Sequence, residues 1–91
     1  MTQLLCRNRV ADYDQWWSVF QSHAEAHRAS GLFLVSLWRD SNDPSNVFFL
    51  FDVEDLERAK AFLGHVGAAE AGKEAGVLEG EFHFVSPAEQ Y

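Results

Sequence analysis

His23 and His27 stand four residues apart with Glu25 between them, a spacing that puts both imidazoles on one face of a helix. Two histidines so placed can hold a divalent transition metal, but a site needs at least a third ligand. His65, His83 or Cys6 would have to come near, nothing in their spacing brings them there, and no metal is expected. The same pair suits proton transfer, because imidazole titrates near neutral pH. It also fits a solvated helix end, where a protonated histidine complements the dipole. Asn8 is a polar residue in an apolar strand pattern. Buried, it must be hydrogen-bonded, either to a ligand's carbonyl or enolate oxygen or to a local backbone group.

Cys6 is the single cysteine, so an intrachain disulfide is excluded. It has no cysteine–histidine spacing signature, and a free cysteine commonly serves as a small buried hydrophobe. The chain has no glycine-rich phosphate loop, nucleophile elbow or CxxC motif, so nucleotide and flavin use are not expected. Trp16 and Trp17 diverge by about 100° on a helix, so one packs on the core and the other towards a rim or partner. Trp38, Phe48, Phe49, Phe51, Phe82 and Phe84 read as core or interface.

The 91 residues form one domain, 47% hydrophobic and 14% aromatic, with a net charge of −7. That aromatic content argues against disorder. The seven cations are scattered, so the basic patch that nucleic-acid binding requires is missing. An acidic surface also disfavours anionic membranes. No apolar run approaches the ~18 residues of a membrane span, and no basic-then-apolar leader opens the chain. A cytoplasmic protein with neither nucleic acid nor membrane as partner is expected.

The elements that must position these residues follow from the hydropathy pattern. Leu4 to Val10 predicts a first strand. Asp12 is a helix N-cap with Gln15 in the capping-box position. The stripe Tyr13, Trp16, Trp17, Phe20, Ala24 and His27 carries one helix to Ser30-Gly31. Leu32–Arg39 and Val47–Val53 are strands joined by a polar, proline-containing loop, hence an antiparallel hairpin. Glu54-Asp55 opens a second helix along Leu56, Ala59, Phe62 and Leu63, which Gly64-His65-Val66-Gly67 should end or kink. A short helix from Ala68 to Ala75 and a strand from Leu78 to Val85 close the chain. The order β-α-β-β-α-β is the split βαβ pattern: an α+β, ferredoxin-like four-stranded antiparallel sheet with two helices on one face. Leu32–Trp38 and Val47–Phe51 are apolar on both faces, whereas a strand with one wet face should alternate. The helices cover one side, so a second copy is expected to cover the other.

Val10-Ala11-Asp12-Tyr13-Asp14-Gln15-Trp16, Val19-Phe20-Gln21-Ser22-His23, Asp43-Pro44-Ser45-Asn46-Val47, Asp55 to Phe62 and Glu74-Ala75-Gly76-Val77 together resemble the dimeric α/β-barrel superfamily. Its members include antibiotic-biosynthesis-type monooxygenases, haem-degrading monooxygenases and small cyclase-like proteins. The resemblance implies a homodimer paired through its sheet faces. It also implies a cavity between sheet and helices for a small aromatic or polyketide-like ligand. A cofactor-independent monooxygenase or cyclase is one reading, with His23, His27 and Asn8 as catalytic residues. Trp16, Phe20, Trp38, Phe51 and His65 would be the ligand-contacting residues. A non-catalytic ligand-binding dimer and a structural dimer are the alternatives. The haem-degrading branch uses an Asn on the first strand, a Trp after the third and a His on the second helix. Here Asn8 matches, Val53 stands in place of the Trp, and His65 is displaced into the glycine break. Haem degradation is therefore disfavoured, and no cofactor is expected.

Overall fold

The computed structural model describes residues 1–89, and for residues 66–68 the description covers the backbone alone. In chain order the elements are β1 (Gln3–Val10), α1 (Tyr13–Ser22), α2 (Ala24–Ala29), β2 (Leu32–Arg39), β3 (Asn46–Val53), α3 (Leu56–Leu63), α4 (Val66–Glu74) and β4 (Val77–Val85). The strands form one sheet in the order β2-β3-β1-β4, and every pairing is antiparallel. This is the ferredoxin-like arrangement that the element order implies.

Local chemistry sets the helix boundaries. The Asp12 carboxylate accepts from the backbone N–H of Asp14 at 3.0 Å and of Gln15 at 3.3 Å, filling donors that the first turn leaves unpaired. Gln15 does not close a capping box on Asp12. Its Nε2 donates to the carbonyl of Glu74 at 2.7 Å and ties α1 to the end of α4. Asp55 caps α3 through the Arg58 N–H at 3.1 Å. Gly31 and Gly76 have φ of +75° and +74°, the left-handed conformation in which helices commonly end.

Two boundaries differ from the sequence reading. The first helical stripe is broken at His23, whose φ of −99° and ψ of 10° separate α1 from α2. Ser22 Oγ donates to the Val19 carbonyl at 2.6 Å, the kind of side-chain bond that competes with the helical ladder and bends helices. The second break falls at Gly64-His65, and Gly67 lies inside α4. One glycine at the end of α3 is enough to redirect the chain.

The core lies on one face of the sheet. Leu4, Cys6, Val47, Phe49, Phe51 and Val53 are buried there, with Trp16 from α1 and Ala59 from α3 in the same cluster. The opposite face carries Leu5, Phe33 and Trp38, each 38–50% exposed. Arg7 lies on it too. The cross-strand register places Arg7 opposite Glu81, and its Nε donates to that carboxylate at 2.6 Å, with Asn46 Oδ1 2.7 Å from Nη1. Arg7 thus meets acidic residues of its own chain, Glu81 and Glu79. The molecule measures 18 Å along its shortest axis, the thickness of one sheet with one helical layer. No helix among the described residues is long and apolar enough to cross a membrane.

Strand β2 is not straight. The register with β3 shifts between Leu34 and Ser36, so two residues oppose one and the side-chain alternation changes phase. Leu32 and Leu34 align with Val53 and Phe51, and beyond the bulge Leu37 aligns with Phe49. The bulge keeps leucines on the helix side along the strand. It also sends Trp38, opposite Phe48, to the other face.

Candidate functional site

Between the sheet and its helices lies a cavity of about 610 Å³, within the roughly 300–1,000 Å³ usual for small-molecule sites. Its floor is β1 and β3, through Leu4, Cys6, Phe49 and Phe51; its helical wall includes Phe20, His23, His27 and Phe62. His65, from the connection between α3 and α4, and Phe82 of β4 border it as well.

The apolar part of the site is an aromatic cluster. Trp16 is 1% exposed and stacks on Phe20 with ring centroids 4.9 Å apart, while Phe49 meets Trp16 at 5.5 Å and Phe20 at 5.4 Å. Such pairs add cohesion beyond the area they bury. Trp16 is the inward member of the tryptophan pair, and Trp17 packs half-buried beside it.

Asn8 is placed behind this cluster. The hydrogen-bond network assigns its amide so that Oδ1 accepts from Trp16 Nε1 at 3.1 Å and Nδ2 donates to the Arg7 carbonyl at 3.1 Å. The side chain satisfies the one polar atom of a buried indole, which would otherwise be costly to bury. Gly80 faces Asn8 across the β1–β4 pair, and a Cβ there would come within 3.0 Å of the amide. A glycine at this point of β4 leaves room for Asn8 to reach the indole. This linkage is not visible as a sequence motif, because its three members are held by sheet register.

His27 is half-buried and surrounded by rings. Phe20, Phe51 and Phe62 lie 4.9, 5.2 and 5.6 Å from its imidazole centroid. Burial, and secondarily the nearby His23, push its pKa down to about 4, so the ring is neutral at physiological pH. Cys6 on the cavity floor is buried, and burial pushes its thiol up to about 12. A protonated thiol is a poor nucleophile. Among the described residues no group of three or more His, Cys, Asp and Glu side chains gathers closely enough to hold a metal ion.

The cavity therefore brings together Asn8, Trp16, Phe20, His23, His27, Phe51 and His65. Trp38 does not line it. In an unbroken strand it would share a face with Leu32 and Leu34, and the bulge reverses that. Phe49 and Phe82, read in the sequence only as core or interface, and Phe62, read as part of the apolar stripe of the second helix, also line the cavity. Their phase in β3, α3 and β4 was the available signal.

No protein-family model and no curated protein matches the chain. Solved structures do. An antibiotic biosynthesis monooxygenase aligns over 98% of this chain and 100% of its own, with 14% identity and a TM-score of 0.69. SnoaB, a cofactor-independent oxygenase from Streptomyces nogalater solved as a single-residue variant, aligns over 98% and 94%, with 14% identity and a TM-score of 0.75. An uncharacterised NIPSNAP domain protein from Burkholderia xenovorans aligns over 97% and 95%, with 15% identity and a TM-score of 0.68. At these identities the likeness concerns the fold. The chain has the β-α-β-β-α-β ferredoxin-like fold of these antibiotic biosynthesis monooxygenase and NIPSNAP domain structures.

Proposed function

We propose that this protein is a homodimeric, cofactor-independent oxygenase acting on a small aromatic or polyketide-like substrate held between sheet and helices. The observation that carries the reading is the aromatic cavity of about 610 Å³ with imidazoles on its helical wall. The fold it shares with SnoaB, a cofactor-independent oxygenase, supports the same reaction class.

The chemistry assigned to the residues is simple. Trp16, Phe20, Phe49 and Phe51 hold a flat ring system by stacking and exclude water. A histidine of the His23–His27 pair takes a proton from an acidic ring CH₂ conjugated to a carbonyl. The carbanion that results is electron-rich enough to reduce dioxygen directly. Carbon–oxygen bond formation gives a hydroperoxide, and loss of water leaves a carbonyl. One CH₂ group and one O₂ become one C=O and one H₂O, so the balance requires no haem, flavin or nucleotide. Neutral His27 accepts a hydrogen bond without bringing a charge into the cavity. Asn8 acts as a positioning residue, because its amide holds the Trp16 indole.

A second copy packed on the open sheet face completes the molecule in this reading. Exposed Leu5, Phe33 and Trp38 on that face support it, since contiguous apolar patches mark interaction surfaces. Anthrone, whose CH₂ lies across the central ring from its carbonyl and is acidic because its anion is an aromatic anthracenolate, is a suitable test substrate. The expected result is oxygen uptake above the buffer rate, one O₂ consumed per anthraquinone formed. Uptake no faster than in buffer, with anthrone and with related hydroxylated anthrones, contradicts catalysis.

A further inference from the structure

Charge on the cavity wall is confined to groups that titrate. Among the described residues no Lys or Arg lines the cavity, so His23, His27 and His65 are the only described lining side chains able to become cationic. The elements packed against His27 present Phe20 from α1, Phe51 from β3 and Phe62 from α3, none of them titratable. His23, at the junction of α1 and α2, is the titratable group whose charge reaches it. Cys6 on β1 is a neutral thiol. Glu81 of β4 also borders the cavity, but its carboxylate oxygens are engaged by Arg7 Nε at 2.6 Å and His83 Nε2 at 3.1 Å.

This arrangement discriminates among ligands. A cationic ligand finds no counter-ion among the described lining residues, because the Glu81 carboxylate is held by Arg7 and His83 on the far face of the sheet. An anionic ligand finds the His27 imidazole, held neutral by burial and able to become charged beside it, with His23 on the same wall. An opposite charge within about 4–6 Å reverses the burial penalty on a histidine, and a charge-assisted hydrogen bond then fixes the ligand's orientation.

We infer that the cavity selects an aromatic ligand bearing a single acidic oxygen, and that binding brings one proton from solvent onto the His23–His27 pair. The inference rests on the reading of this cavity as a small-molecule site and adds the ligand's charge and its linkage to pH. No covalent bond forms. The ligand anion and the imidazolium appear together, so affinity falls as pH rises through the titration of the complex.

Two probes with the same ring system separate the possibilities: 2-naphthoate and its neutral isostere 2-naphthamide. Calorimetric titrations of the intact protein, in buffers of different ionisation enthalpy, count the protons taken up. At about pH 6 the expected result is 2-naphthoate bound about tenfold tighter than 2-naphthamide, with uptake approaching one proton and the advantage shrinking towards pH 8. His27→Gln should lose the preference for 2-naphthoate over 2-naphthamide, read as the ratio of the two affinities within the variant, together with part of the uptake. Should that variant fail to fold, the two probes on the unaltered protein still decide. Equal affinities, or preferential binding without uptake, overturn the inference. Uptake unchanged in both His23→Gln and His27→Gln assigns the proton to the probe's own carboxylate and overturns it too. If 2-naphthamide binds and 2-naphthoate gains nothing, the aromatic site stands and this inference falls; if neither binds, both fall.

Discussion

Asn8 shows what a single residue's sequence context leaves open. Its strand neighbours imply a polar group that must find partners, without saying whether those belong to a ligand or to the protein. The indole of Trp16 and the Arg7 carbonyl are the partners found. Replacing Asn8 with Ala would leave a buried indole N–H unpaired, at a cost of about 1–3 kcal/mol. Urea unfolding followed by tryptophan fluorescence measures that loss; a change within error would show that the indole is satisfied otherwise. Gly80→Ala, which crowds the same amide at 3.0 Å, should act in the same direction. His27 gives a pH signature with a definite sign. Its folded pKa, about 4, lies below the ~6.5 of an unfolded histidine. Between those values the unfolded chain binds more protons, so the stability due to neutral His27 is complete above about pH 6.5 and is lost as pH falls towards 4. Allowing for the solvent that still reaches the half-buried ring, the loss is about 1–2 kcal/mol. His27→Phe should flatten this part of the stability–pH curve measured by urea unfolding. An unchanged slope between pH 7 and pH 4.5 would assign it to other groups.

At the scale of elements the sequence was legible where a physical signal is local. Asp12 and Asp55 mark helix starts because a short carboxylate reaches the free N–H groups of the next turn. Gly31 and Gly76 mark ends because the chain there turns to positive φ. Asp12→Ala should therefore cost about 1 kcal/mol in thermal or urea unfolding, and Asp12→Asn much less. Where the signal is relational, the sequence misleads. The bulge between Leu34 and Ser36 depends on pairing with β3, and nothing in Leu34-Val35-Ser36 announces it. One residue of slip moves Trp38 from the cavity side to the open face. The break at His23 was hidden for a similar reason: the apolar stripe runs through it, and the Ser22–Val19 hydrogen bond that accompanies it is one of several options open to a serine. That Trp16, Phe20, His27 and Phe51 face the space between sheet and helices was readable from helical and strand phase. Phe62 and Phe82 carried the same phase signal, but their place on the cavity followed only from the packing.

The whole molecule is a sheet covered on one side. Its core consists of the buried residues between sheet and helices, and Leu5, Phe33 and Trp38 stand partly exposed on the far face. The two-sided apolar strands made this legible before any coordinates, since a lone sheet–helix layer cannot use both faces. Obligate interfaces often bury about 2,000 Å² or more in total, and a dimer of that kind is expected by sedimentation at micromolar concentration. Trp38→Glu should shift it towards monomer while leaving the circular dichroism of the fold intact. A monomeric unaltered protein would require another cover for this face. The cavity was expected from the family resemblance alone; its size was not legible in the residues, because the volume depends on how far helices stand off a sheet. Its role is the central claim, and the tryptophans provide the direct test. Trp16 borders the cavity and Trp38 lies on the opposite face. In a ¹⁵N-resolved NMR titration with 2-naphthamide, the Trp16 indole resonance should shift saturably while that of Trp38 stays in place. Movement of Trp38 alone, or of neither indole at saturating ligand, would contradict a ligand site between sheet and helices.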